Sequence, residues 1–340
     1  MESEDRRKNL LVDWLKTDVG LSDITLQPMQ GDASTRRYYR VHLPNQQTLV
    51  AMDAPPPQEN TGPFVAIAAT LREQGLYAPE IVAEHASHGF LLLSDFGDLT
   101  YLKALNEKNA DDLYESALTA LSILQRGREV TGRTIPPFTP EFMLQEWAWH
   151  KEWFLQKLLG LELGNIEIKL DQCYAQLVDM AASQPQVFMH RDFHSGNLMV
   201  LNDGSVGILD FQDAFIGPLT YDLASLLRDC YIDWPEERVQ QWALDYLHKL
   251  QLAGELKGVS EQTFLRWFDW MSIQRHLKAL LTFARKQVRD HQPAYLAHVP
   301  RTLNYIITVS RRYPELTLLH DSYRTIVQPA FERVVSTCAP

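Results

Sequence analysis

The stretch "VFMHRDFHSGNLMV", residues 187–200, sets His190, Arg191, Asp192, His194 and Asn197 within eight positions, between two apolar runs. Such a cluster suits a metal site, a buried polar knot or an enzyme loop. No further group of ligand-type residues accompanies His190 and His194, which argues against a metal pair. His190 is expected instead to brace the loop through hydrogen bonds. The sequel, "VGILDFQD" at 206–213, puts Asp210 at the end of an apolar run that reads as a short buried strand.

Asp192, Asn197 five residues on and Asp210 thirteen beyond it follow the His-Arg-Asp-x4-Asn spacing of a kinase catalytic loop. Phosphoryl transfer explains the residue types: it needs one carboxylate near the attacking hydroxyl and hard oxygen ligands for Mg²⁺. Asp192 is therefore the candidate catalytic residue, and Asn197 and Asp210 are the candidate magnesium ligands. General-base assistance contributes on the order of 10²–10⁴-fold.

Outward from the loop, the chain changes character near residue 98. Before it, residues 36–53 alternate as two strands joined by "LPNQQ", and "EIVAEHASHGFLLLSD" reads as a second hairpin turning at Ser87–Gly89. Between them, "APPPQENTGP" delays a helix until Pro63, and Gly75 suits its end. After residue 98, helical spacing dominates: 110–127, 140–160, 166–183, 219–230, 236–253, 261–286 and 299–311, with short strands at 187–189, 198–201 and 206–209. The expected fold class is α+β. A nucleotide-binding lobe with a leading helix, 1–97, precedes a helical lobe, 98–340, with a cleft shared between them.

The 340 residues carry a formal net charge of −11, which argues against an electrostatically driven nucleic-acid binder. Cys173, Cys230 and Cys338 form no CxxC unit, as expected of a reducing compartment. The N-terminus reads as an amphipathic helix and not as a signal peptide, and no run reaches the ~20 apolar residues of a membrane span. A soluble cytoplasmic protein is expected; a monomer is compatible with the sequence, which leaves the oligomeric state open.

"HRDFHSGNL" and "ILDFQDAFIGPLTYDLASLL" together resemble the aminoglycoside phosphotransferase family, whose motif runs H-x-D-x4-N, then hydrophobic-D-F/W, then G-P-x-x-x-D-L-A. The resemblance implies a bilobal protein-kinase-like fold, with ATP and Mg²⁺ as cofactors. It assigns Asp222 to stabilising the catalytic segment. It places "GDASTRRYYRV" as the turn over the nucleotide phosphates, where Gly31, Ala33 and Ser34 allow backbone N–H groups to approach and Arg36, Arg37 and Arg40 add cations. It also makes "LLLSDFG" the crossover between lobes, with Ser94 and Phe96 at the adenine edge.

One departure stands out. Many family members place a Lys on the third strand, and here "TLVAMDAP" offers Met52 and Asp53 instead. Either an arginine such as Arg36 or Arg37 replaces the charge, or the chain is a nucleotide-binding pseudokinase. "DASTRRYYR", "VAMDAPPPQENTGPFVAI", "GFLLLSDFGDLTYL" and "QRHLKALLTFAR" resemble more narrowly the anomeric amino-sugar kinases of cell-wall recycling. That resemblance covers residues 30–312 and makes the missing Lys a mark of the subfamily.

Its implied substrates are N-acetylmuramate and N-acetylglucosamine, phosphorylated at the C1 hydroxyl to the α-1-phosphate. Aminoglycosides, or small hydroxyl compounds such as choline, remain alternative substrates. Candidate substrate contacts are Asp192, His194, Asp213 and Arg275. In "WMSIQRHLKALLTFARK", Trp270, Ile273, Leu277, Leu280 and Ala284 share a core-facing stripe, and Arg275, Lys278, Thr282 and Arg285 share another face. That basic face is either a receiver for the lactyl carboxylate of N-acetylmuramate or an ordinary solvated or salt-bridged surface. The aromatic run "WAWHKEWF" at 147–154 is expected to pack helices rather than stack on a sugar.

Overall fold

Alternating residues in the first hundred positions build one antiparallel sheet. Its strands are β1 (Thr25–Pro28), β2 (Arg37–His42), β3 (Thr48–Asp53), β4 (Ile81–His85) and β5 (Phe90–Ser94), in the spatial order β1-β2-β3-β5-β4. This is a computed structural model and describes residues 2–29, 35–127, 129–164 and 166–338. Both expected hairpins are present, and β1 adds an edge strand that the sequence patterns did not suggest.

The chain divides into two units. The first comprises Met1–Leu99, Glu129–Thr134 and Met199–Asp213, and the second Thr100–Arg128, Ile135–Leu198 and Ala214–Pro340.

In the first unit, strand pleat sorts the side chains. Register pairs Tyr39 with Ala51 and Ala51 with Leu92, so these share one face. That face packs with Leu11, Trp14 and Leu15 of the leading helix Glu2–Thr17. Val50, Met52, Leu91 and Leu93 are buried on the opposite face. Asp53 lies on the leading-helix face, fully buried, where Arg7 Nε donates to it at 3.0 Å and Arg37 makes a second ion pair.

The turn into β5 requires glycine. Gly89 has φ +71°, and a Cβ there would lie 1.9 Å from the Ala54 carbonyl oxygen. The helix Gly62–Glu73 has its Pro at the first turn and ends ahead of Gly75, whose φ is +82°.

The second unit is mainly helical. Its central helix, Glu261–Val288, is capped by Ser260, whose Oγ accepts the Thr263 N–H at 3.1 Å. The expected stripe Trp270, Ile273, Leu277, Leu280 and Ala284 is buried. Helices Pro140–His150, Ile166–Ala182, Thr220–Leu227 and Val299–Ser310 pack around it. The helix therefore buries polar positions too, and each needs a partner. Gln274 donates to Glu146 at 3.1 Å, His276 Nε2 donates to the Arg228 carbonyl at 2.9 Å, and Arg275 Nε donates to Ser225 Oγ at 2.7 Å.

The aromatic run packs as expected: Trp147 stacks on Tyr174 at 4.8 Å and on His150 at 5.3 Å. Its helix, expected to be uniform over 140–160, changes to π-helical geometry at Lys151–Leu158. A strand at Phe215–Pro218, also not expected, pairs antiparallel with Gln186–Met189, with Phe215 opposite Met189. This pairing anchors the strand that leads into the loop 190–197.

Candidate active site

Strand Gln186–Met189 delivers the chain into the loop 190–197, and strand Leu198–Val200 receives it. The loop is shaped from below by Asp222, in the first turn of helix Thr220–Leu227. Its carboxylate accepts the His190 N–H at 2.6 Å and the Arg191 N–H at 2.8 Å. Asp222 thus holds the start of the loop, the stabilising part that the motif implied for it. Arg191 takes a left-handed conformation, φ +81°, and its guanidinium pairs with Glu146 at 2.8 Å between the rings of Phe142 and Phe215. Such a φ on a side-chain-bearing residue persists only where surrounding contacts impose it.

His190 is buried, and its Nδ1 accepts the Asp192 N–H at 3.3 Å, the bracing role expected of it. Asn197 Nδ2 donates to the Asp192 carbonyl at 3.0 Å. His194 Nδ1 accepts the Gly196 N–H at 3.2 Å, and the ring lies edge-on to Tyr231 at 5.4 Å. Asp229, not singled out in the sequence, accepts the Ser195 N–H at 2.9 Å and the Ser195 hydroxyl, and also takes the Tyr231 N–H at 2.9 Å.

Asp192 meets two cations from the central helix. Lys278 Nζ donates to its Oδ1 at 2.8 Å, and Arg275 Nη2 lies 3.7 Å from the same oxygen. Burial alone would raise the Asp192 pKa, but Lys278, Arg275 and His194 hold it well below the usual carboxylate range. Burial lowers the Lys278 and His194 pKa values. Asp192 keeps 29 % of its side-chain surface exposed, so a substrate can reach it. The basic face of the helix is therefore not a solvated surface at these positions: Arg275 is buried, and Lys278 is committed to the Asp192 carboxylate.

The remaining candidates belong to the first unit. Asp210 follows strand Val206–Ile208 in a left-handed conformation, φ +62°, and its Oδ1 accepts from Gln212 Nε2 at 2.8 Å. Phe211 beside it is fully buried against Phe64, at 4.8 Å. Asp213 is exposed. Arg36 Nε pairs with Glu59 at 2.9 Å. Burial opposes the Arg36 charge, but Tyr38, Glu59 and Asp213 outweigh it and raise its pKa. Arg37 is engaged by Asp53 on the leading-helix face.

Arg40, expected to add a cation at the phosphate turn, fastens the segment after β5. It pairs with Asp95 at 2.6 Å and with Asp98 at 2.9 Å. Ser94 is tied to Glu80 by both its N–H, at 3.0 Å, and its hydroxyl, at 2.9 Å. The Phe96 ring rests on Gly207, where a Cβ would come within 2.7 Å of it. Gly31, Ala33 and Ser34 lie outside the described residues.

Among the described residues no three His, Cys, Asp or Glu side chains gather as a metal cluster. Taken separately, the Asn197 amide and the Asp210 carboxylate each offer a hard oxygen donor of the kind that magnesium takes. No helix among the described residues is long and apolar enough to cross a membrane.

The family described as "Phosphotransferase enzyme family" matches residues 25–261. The N-acetylmuramate/N-acetylglucosamine kinase of Pseudomonas aeruginosa is 42 % identical over 306 residues, covering 90 % of this chain and 89 % of its own. The protein of the same name from Pseudomonas putida is 39 % identical, covering 94 % of this chain and 97 % of its own. The one from Neisseria meningitidis is 36 % identical, covering 93 % and 94 %. Among solved structures, an ethanolamine kinase of Plasmodium vivax superposes with TM-score 0.63 at 13 % identity, covering 87 % of both chains. The choline kinase LicA of Streptococcus pneumoniae superposes with TM-score 0.61 at 12 % identity, covering 88 % of this chain and 99 % of its own. These two likenesses show the protein-kinase-like fold.

Proposed function

Because the chain belongs to the phosphotransferase enzyme family, we propose that it is an ATP-dependent kinase for amino sugars, transferring the γ-phosphoryl group to the C1 hydroxyl of N-acetylmuramate or N-acetylglucosamine. One observation carries this reading: near-full-length likeness to three kinases of that name, at 36–42 % identity, in a chain whose His-Arg-Asp-x4-Asn loop is intact. A soluble, cytoplasmic setting with access to ATP goes with it.

In this reading Asp192 receives the sugar hydroxyl. Its depressed pKa makes it a weak base in the resting chain, so it first orients the hydroxyl and accepts the proton as the new bond forms. Because the transition state is loose, positioning and electrostatics do most of the catalysis. Asn197 and Asp210 are the proposed magnesium ligands. Bound magnesium would supply charge neutralisation at the β- and γ-phosphates. The turn at Gly31, Ala33, Ser34 and Arg36 is assigned to the phosphates, and Ser94 and Phe96 to the adenine edge. His194 lies beside Asp192 on the sugar side of the assignment.

The test is ADP release with Mg-ATP and each sugar, with phosphorus NMR of the product. An α-anomeric phosphate is expected. Asp192→Asn should lower kcat by about 10²–10⁴-fold in a folded protein; retained turnover overturns the role of Asp192. Turnover with kanamycin or choline but neither sugar overturns the substrate assignment.

A further inference from the structure

The central helix brings Arg275 and Lys278 to Asp192 by i,i+3 spacing, from 86 residues away in sequence for Lys278. Their roles separate. Arg275 is tied by its Nε to Ser225 Oγ at 2.7 Å and stays 3.7 Å from Asp192. Lys278 donates directly, at 2.8 Å, and only to Oδ1. Among the described residues nothing hydrogen-bonds Asp192 Oδ2, and nothing else accepts from the Lys278 ammonium. An ammonium has three N–H donors, so two remain beside the carboxylate. The Lys278 side chain is only 13 % exposed, an environment in which leftover donors call for a ligand.

The other charges around the loop are engaged elsewhere: Arg191 by Glu146, Asp222 by two backbone N–H groups, and Asp229 by Ser195 and Tyr231.

We propose that Lys278 is a further catalytic residue, whose ammonium bridges Asp192 Oδ1 and an oxygen of the γ-phosphoryl group during transfer. The inference rests on the kinase reading above. Asp192 divides its labour: Oδ1 holds Lys278, and Oδ2 takes the acceptor hydroxyl. The hydroxyl oxygen forms the new bond to the γ-phosphorus. The bond from that phosphorus to the β–γ bridging oxygen breaks, its electron pair leaves with ADP, and the hydroxyl proton passes to Asp192. Without a cation here, the anionic phosphoryl group would approach an anionic carboxylate, and the two would repel. Lys278 removes that repulsion where the charge develops.

The experiment compares wild type, Lys278→Ala and Lys278→Arg. Single-turnover transfer to N-acetylglucosamine, slow hydrolysis of Mg-ATP, and the separate binding constants for Mg-ATP and sugar are measured. Lys278→Ala should lose about 10²–10³-fold in the transfer step, with both binding constants within about threefold of wild type. Lys278→Arg should recover part of the loss, and added ethylammonium should restore Lys278→Ala saturably, a response that a purely structural lysine would not give.

Transfer in Lys278→Ala within about threefold of wild type overturns the proposal. So does a loss confined to sugar binding, which would make Lys278 a sugar contact. So does a loss that neither Arg nor ethylammonium relieves. A wild type that hydrolyses Mg-ATP but phosphorylates neither sugar fails the amino-sugar reading alone, and the Lys278 comparison is then read on hydrolysis. A wild type inert in both overturns both.

Discussion

Arg191 is where the loop bends, and Asp222 is what allows it to bend. At φ +81° the backbone turns two consecutive N–H groups, those of His190 and Arg191, toward one carboxylate. Each oxygen of Asp222 takes one of them, so an amide cannot replace it: the NH2 of Asn would face an N–H. Asp222→Asn should therefore lose about 1–3 kcal/mol of stability. It should also lower kcat by about 10–100-fold through displacement of Asp192, although Asp222 touches no substrate in the proposed reaction. Thermal unfolding and kcat, measured together, check this; an unchanged kcat would detach Asp222 from the geometry of the loop. Asp192 and Asn197 stood out as candidates through short-range spacing, and Asp222 through the family motif. Lys278 was visible only as one cation on a basic helix face, since nothing local links it to Asp192.

At the scale of elements, strand pleat decides what the two adjacent arginines do. Arg37 stands opposite Asp53 in the β2–β3 register and shares its face with the leading helix. Tyr38 stands opposite Met52 on the other face, and Arg36, one pleat repeat before Tyr38, hydrogen-bonds to it. Asp210 acts electrostatically on Tyr38, and Asp213 on Arg36. The fold thus leaves Met52 and Asp53 on opposite faces. It gives Asp53 to an anchor made with Arg7 and Arg37, while Arg36, paired with Glu59, is the arginine proposed for the phosphates.

Arg36→Ala should weaken Mg-ATP binding by about tenfold or more, with little effect on adenosine binding. Arg37→Ala should instead lower stability by about 1–3 kcal/mol and leave the ATP constant near wild type. Calorimetric titration with both ligands, alongside urea unfolding, separates the two; the reverse pattern would invert the assignment. The sequence had named both arginines without dividing them, because alternation fixes which residues share a face but not which face meets the ligand. The two expected hairpins were read from alternation and turn residues. Strands Thr25–Pro28 and Phe215–Pro218 each end in a proline and carry no long apolar run to mark them.

For the molecule as a whole, two histidines buried in the helical unit tie stability to pH. His150 donates from Nδ1 to the Leu277 carbonyl at 2.8 Å and meets Tyr323 through Nε2 at 2.7 Å; burial pushes its pKa down to about 3. His276, bonded to the Arg228 carbonyl, is likewise pushed down to about 3 by burial. Both are neutral when folded and free to protonate when unfolded, near pH 6.5. A depressed folded pKa means that the contribution is fully present above about pH 6.5 and is lost as pH falls toward 3. Each histidine therefore adds a slope of about 1.4 kcal/mol per pH unit within that window. His150→Gln and His276→Gln should each flatten the dependence of unfolding free energy on pH by about one proton between pH 6.5 and 4.5. Urea unfolding at several pH values measures this, and slopes equal to wild type would rule it out.

The sequence by itself determined the candidate residues of the 190–197 loop, the division into a strand-rich and a helix-rich region, and the core stripe of the central helix. All of these depend on spacing within a few dozen residues, where backbone geometry leaves little choice. Tertiary structure alone decided which cation sits on Asp192, which arginine is an anchor, and that Arg40 holds Asp95 and Asp98. Those outcomes depend on which faces are packed together across 86 residues for Lys278 and Asp192, 46 for Arg7 and Asp53, and 55 for Arg40 and Asp95. Burial makes every such charge find a partner, but only the packed fold determines which partner is within reach.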